Sequence, residues 1–332
     1  MEKNNYHTRA GIECLNSCIY NYLANENQAI SRSDIFFSGG GFEIGYFRGN
    51  GHKIMSGQNR SNLQFIRTYL EGSTVDNVLE TYEGEMKTFL KETLQNKNRL
   101  IINVSGSGLP YSKAFDSNQT VSHFINLIGI DTKKNLVRIS DGCMPVVGGG
   151  CYEDWIDMDV LAENWQMMNG RYIELNYKHL DIQKIKKSAY ENMRKGIKKY
   201  LHKDRGWFGS RIGGHQAILR LFEDIKMMIE SNTKNSLEII RDINQQLRVE
   251  GYLSSKEFLL EKMKETGCRE ELTDSYQHII REYDIICLNV MKSVIKKNPE
   301  NMEGLIKQIQ HSVQQENKIL KEVLRNPFPV FK

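Results

Sequence analysis

From Asp181 onward, almost every stretch of the chain repeats apolar residues at three- and four-residue spacing, and no other feature restricts the fold as much. The pattern predicts helices near 181–203, 210–230, 234–249, 254–266, 269–297 and 300–325, with breaks at Gly206, Asn232, Gly251, Gly267 and Pro299. A run of helices this continuous is expected to fold as an all-helical domain over 178–332. The first 177 residues read differently. They hold 18 of the 26 glycines and carry the turn signals and short apolar runs of a mixed structure. At 332 residues the chain is long enough for two domains, so an α+β domain at 1–177 and a helical domain at 178–332 is the predicted organisation.

Within the first part, Cys14–Asn25 predicts a short helix, with Leu15, Cys18, Ile19, Tyr22 and Leu23 on one face. Asp34–Phe37 is a short apolar run closed by Gly39, Gly40 and Gly41, and the Gly/Asn/Ser-rich stretch that follows, to Asn62, reads as loop. Val75, Val78, Leu79, Tyr82, Met86, Phe89, Leu90 and Leu94 form a stripe that predicts a helix over 75–94. Leu100–Val104, Phe124–Ile130 and Leu136–Ser140 predict strands, then a helix over 157–167 and a closing strand over 171–176.

Charge divides along the same line. Residues 1–177 carry 16 Lys/Arg against 20 Asp/Glu, and residues 178–332 carry 29 against 21. Most of the second excess lies in 178–205, which has ten basic and three acidic residues around an apolar stripe of Ile182, Ile185, Ala189, Met193 and Ile197. That is an amphipathic helix with a basic outer face. Its plainest reading is a solvated surface. Nucleic-acid binding lacks an aromatic-interleaved groove or a motif, and a membrane-surface role conflicts with an apolar stripe needed for packing.

No uncharged run approaches the ~18 residues of a spanning helix, and the first residues lack the apolar core of a signal peptide. Six cysteines without a CxxC pair fit neither a disulfide framework nor a zinc ribbon, so no metal and a reducing, cytoplasmic setting are expected. The glycine runs do not match GxGxxG and lack its βαβ context, so no dinucleotide cofactor is expected.

Three residues carry chemistry if the strands bring them together. Cys14 heads a predicted helix, whose dipole would favour a thiolate. His123 opens one strand, and Asp141 closes the next. A thiol, an imidazole to take its proton and a carboxylate to orient the imidazole form a nucleophile–base–acid set, and cysteine before histidine before acid is the papain-like chain order. Each residue also has a bland reading: a small buried thiol, a satisfied strand-end histidine and an Asp-Gly turn. Cys18, one turn further along the helix, is a rival nucleophile, weakened by its distance from the helix start.

The segments around these residues resemble a known family. ECLNSCIYNYL around Cys14, IFFSGGGFEIGYF at 35–47, and LIINVSGSGLPYSKAF with SHFINLIGIDTKKNLVRISDG between Leu100 and Gly142 are similar, in order, to the N-terminal domain of the butirosin biosynthesis protein H family. That family looks like a branch of the papain/C39-peptidase-like superfamily, and the chain is also similar to the amide-forming enzyme of closthioamide assembly. The resemblance spans about 1–145, with a weaker likeness from Trp207 to Met228. It implies a papain-like fold, Cys14 as nucleophile, His123 as base and Asp141 as orienting acid. It further implies an acyl group delivered on the phosphopantetheine of an acidic acyl carrier protein, which the basic helix would steer, and a small amine as acceptor. A cysteine hydrolase, either amidase or thioesterase, would use the same triad; a degenerate binding module would not need it. The long helices over 269–325 would suit a homodimer. One position departs from the papain-like pattern: the glutamine expected about six residues before the cysteine is Thr8 here, flanked by His7 and Arg9.

Overall fold

The computed structural model describes residues 6–48, 52–55, 58–70, 80–95, 100–111, 121–144, 150–177, 179–202, 212–231, 235–248, 251–296 and 300–325. These residues form a mixed α+β structure with two antiparallel sheets. The chain makes two compact units, one from 1–35 and 62–185, the other from 36–61 and 186–332. A single cut after residue 177 therefore differs from the observed arrangement chiefly in one segment, 36–61, which packs with the C-terminal helices.

The first unit opens with α1 (Cys14–Asn25), and the short α2 (Arg32–Ser38) begins at its edge. The helix α3 (Gln58–Tyr69) occupies the end of the stretch expected as loop. Its Phe65 and Ile66 are buried against Leu15, Ile19 and Leu23 of α1, a packing that outweighs the polar composition around them. The expected helix over 75–94 is likewise corrected. Residues 71–79 lie outside the described set, Glu80–Thr81 is a strand (β3), and α4 runs only over Met86–Gln95. Tyr82 accounts for the misleading periodicity. It lies on the strand side of the turn, yet its ring stacks on Phe89 of α4 at 4.4 Å, so both contribute to one apolar cluster.

The sheet of this unit has the order β3-β8-β4-β5-β6-β7, every pair antiparallel. Its further strands are β4 (Leu100–Ser105), β5 (Ser122–Asp131), β6 (Leu136–Asp141), β7 (Tyr152–Asp157) and β8 (Arg171–Glu174), with α5 (Met158–Gln166) between the last two. All six residues of β4 (Leu-Ile-Ile-Asn-Val-Ser) are buried, as a mainly apolar strand requires at the middle of a sheet covered on both faces. Side chains then alternate. Ile101, Phe124 and Ile173 join α1 on one face, while Leu100, Ile102, Ile125 and Val137 join α4, α5 and Trp165 on the other. The edge strand β7 was not legible, because Tyr-Glu-Asp-Trp-Ile-Asp exposes most of its side chains.

The second unit holds a three-stranded sheet, with β1 (Gly45–Phe47) between β2 (Lys53–Met55) and β9 (Ile212–Gly213). Its helices are the larger part of α6 (Ile182–Leu201), then α7 (Gly214–Ser231), α8 (Ser236–Arg248), α9 (Tyr252–Glu265), α10 (Glu270–Ile295) and α11 (Glu300–Arg325). Each helix lies within a few residues of its predicted span. The expectation of an all-helical second domain is corrected by the small sheet, whose central strand comes from the early segment.

At the heart of this unit Lys256 and Glu316, both fully buried, form an ion pair. Tyr200 and Tyr283 donate hydroxyls to one Glu316 oxygen at 2.7 and 2.8 Å, and Tyr276 donates to the other at 3.1 Å. The ammonium lies 4.4 Å from the Tyr252 ring centroid. Burial lowers the Lys256 pKa, while the Glu316 charge and hydrogen bond oppose that shift.

Candidate active site

Glu13 is the N-cap of α1, and its carboxylate accepts the backbone N–H groups of Leu15 at 3.0 Å and Asn16 at 2.8 Å. A cap of this kind stabilises a helix by about 1 kcal/mol and fixes where it starts, here at Cys14. α1 lies against β5, with Leu15, Cys18 and Ile19 in the same core as Phe124. The amide of Asn126, on β5, donates to the carbonyl of Cys18 at 3.0 Å. The backbone N–H of Phe124, next to His123 in β5, favours the ionised form of the Cys14 thiol. Packing a helix across a strand thus sets the start of α1 beside the strand that bears His123.

His123 and Asp141 come from neighbouring antiparallel strands, and their side chains meet: Nε2 of His123 lies 2.7 Å from Oδ2 of Asp141. Both are buried. Asp141 has two further partners. Tyr111 donates its hydroxyl to Oδ2 at 3.0 Å, and the backbone N–H of Cys143 donates to Oδ1 at 2.9 Å. The Tyr111 ring is held by stacking on Tyr152 at 3.8 Å. Burial alone would raise the Asp141 pKa, but the His123 charge and these hydrogen bonds outweigh it and hold the carboxyl below its usual value.

Gly142 locks the end of β6 to the segment ahead of α1. Its carbonyl accepts the Gly11 N–H at 2.6 Å. A Cβ at residue 142 would fall 2.8 Å from the Arg9 carbonyl oxygen and 2.5 Å from the Asn21 amide. The Asp-Gly pair is therefore a close-packing requirement as well as a chain turn.

The expected thiolate-favouring environment of Cys14 is corrected. Burial and the Glu13 carboxylate push the thiol well above its ordinary pKa; Cys143 and Cys18 add to this, and the Phe124 N–H opposes it. The sulfur donates to Glu13 Oε1 at 3.3 Å. A carboxylate this close overrides the helix dipole, whose N-terminal groups are in any case taken up by that same carboxylate. Glu13 itself is raised by burial, against the lowering pull of the Asn16 and Leu15 N–H bonds.

Cys18 is fully buried in the α1 core, and burial followed by the Asp141 and Glu13 charges raises its thiol well above the ordinary value. Thr8 is buried and engaged elsewhere. Its hydroxyl contacts Glu153 at 2.6 Å and Ser140 at 2.8 Å, and its N–H donates to Glu153 at 3.0 Å. The place of the expected glutamine is thus part of a structural network. Among the described residues no group of three or more His, Cys, Asp or Glu is placed to hold a metal ion. An open groove of about 800 Å³ beside Tyr82, Lys87, Asp159 and Glu163 contains none of the three predicted residues.

Two neighbours of the candidate residues escaped the sequence reading. Tyr111 stood in the quoted Leu-Pro-Tyr without a role. Glu13 had a signal that went unused, an acidic residue directly before the first helical position. Compared with known proteins, the chain matches no family model, and no curated protein matches it.

Proposed function

We propose that the chain is a cysteine acyltransferase that forms amides. The observation that carries this reading is the buried His123–Asp141 hydrogen bond at 2.7 Å, with Cys14 at the start of α1, the helix packed against the strand that bears the histidine. Asp141 takes Nε2, so Nδ1 is the ring nitrogen that exchanges protons with the reactants. The Cys14 proton passes to His123 as the sulfur attacks a thioester carbonyl. The donor's C–S bond breaks, and the departing thiol takes that proton. An amine then attacks the Cys14 thioester, its excess proton moves through His123 to the released sulfur, and the amide leaves.

The donor class follows from the resemblance and from charge. α6 exposes Lys184, Lys187, Lys195 and Lys198 while its stripe of Ile185, Ala189, Met193 and Ile197 is buried, a surface suited to an acidic acyl carrier protein. No described helix is long and apolar enough to cross a membrane. All six cysteines are free thiols, which fits a reducing cytoplasm. Ile285, Leu288 and Ile295 of α10 are exposed apolar residues, the face a second copy would use in a homodimer.

Incubation with an acyl thioester should give a covalent acyl adduct on the wild type by intact mass, absent in Cys14→Ala, and added amine should discharge it as amide. An adduct that persists in Cys14→Ala ends the nucleophile assignment. Discharge to acid alone, whatever amine is supplied, makes the protein a hydrolase.

A further inference from the structure

We propose that Glu13 holds the proton of Cys14, masking the nucleophile as a neutral thiol until a donor is bound and His123 removes that proton. This rests on the acyltransferase reading above. The Sγ of Cys14 donates to Oε1 of Glu13 at 3.3 Å. That oxygen also accepts the Leu15 N–H at 3.0 Å, and Oε2 accepts the Asn16 N–H at 2.8 Å and the Asn62 amide at 2.6 Å. Asn62 is itself fully buried and accepts the Asn16 amide at 3.0 Å. A carboxylate pinned by four donors cannot swing away from the sulfur.

Its position has two effects of the same sign. It offers the S–H an acceptor, and it sets a negative charge where a thiolate would form. The other groups around the sulfur are few. Cys18 on α1 and Cys143 after β6 would repel a thiolate if ionised, whereas the Phe124 N–H on β5 would stabilise it. His123 is held by Asp141, Nε2 to Oδ2 at 2.7 Å, which fixes the ring that is to take the proton. In the step itself the proton leaves Sγ for His123, the S–C bond to the acyl carbon forms, and the donor thiol departs with the proton. Glu13 gains and loses no atom; it gives up one hydrogen bond.

The test is alkylation by iodoacetamide across pH 5–10, followed on the Cys14 peptide by mass spectrometry. The wild type should inflect above the ~8.5 of a free cysteine. Glu13→Gln, which keeps an oxygen for the cap, should react about tenfold faster at pH 7, with its inflection moved to lower pH. Glu13→Asp, which keeps the charge, should stay slow. Equal or slower alkylation in Glu13→Gln overturns the proposal. So does a wild-type inflection below neutral, a result that decides the matter even if the variant fails to fold. The acyl adduct is scored separately. If masking holds but no adduct forms on the wild type, the acyltransferase reading falls alone.

Discussion

Asp141 is the residue whose environment is most fully specified. Its two oxygens are shared among an imidazole, a phenol and a backbone N–H, all within 3.0 Å. Asp141→Asn keeps the shape and removes the charge that supports an imidazolium. Acyl transfer should fall by about a hundredfold or more through kcat, with KM for the thioester little changed. Stability gives a second readout. The carboxyl pKa is lower folded than the ~3.9 of an unfolded aspartate, so its contribution is complete above that value and disappears as pH falls through the lowered one. A series of thermal midpoints below pH 4 should therefore drop less steeply in Asp141→Asn than in wild type; parallel slopes would show that Asp141 is not the group responsible.

Among elements, α6 separates packing from charge most clearly. Its buried stripe is fixed, so its outward lysines can be altered without touching the core. Lys199 is already paired with Glu43 and is a poor choice for that purpose. Reversing Lys195 and Lys198 to glutamate should raise KM severalfold for a carrier-bound donor and leave a small thioester analogue unaffected, with the KM difference reduced in high salt. Equal effects on both donors would point to a folding defect instead. The helices after 181 and strands β4, β5 and β6 were legible because their patterns are long or continuous. β7 was not, since an edge strand leaves most side chains in water, and β3 was not, because Tyr82 imitates a helical stripe by packing on Phe89. The three candidate residues lie at or next to the ends of elements, as the sequence places them: Cys14 at the start of α1, His123 near the start of β5 and Asp141 at the end of β6. The character of the thiol was not legible, because α1 turns the side chain of its own cap onto the sulfur, and no spacing rule anticipates that.

For the molecule as a whole, the partition of the chain matters more than its length. Residues 36–61 supply β1, the middle strand of the second unit's sheet, and Tyr46 on that strand donates to the buried Asp224 of α7 at 2.7 Å. A fragment of 178–332 lacks both the strand and that hydroxyl. It should melt broadly, without the cooperative transition of the full chain, when followed by circular dichroism; a sharp melt at the full-chain temperature would show that β1 is dispensable. The same arrangement sets a schedule during synthesis. β1 leaves the ribosome early, but β9, one of its two neighbours, is not made until residue 212. At about 5–20 residues per second the first strand waits on the order of ten to thirty seconds with an open edge. In that interval a nascent chain has a hydrogen-bonding surface to shield, so the protein's yield in a cell should be sensitive to translation speed between those two points.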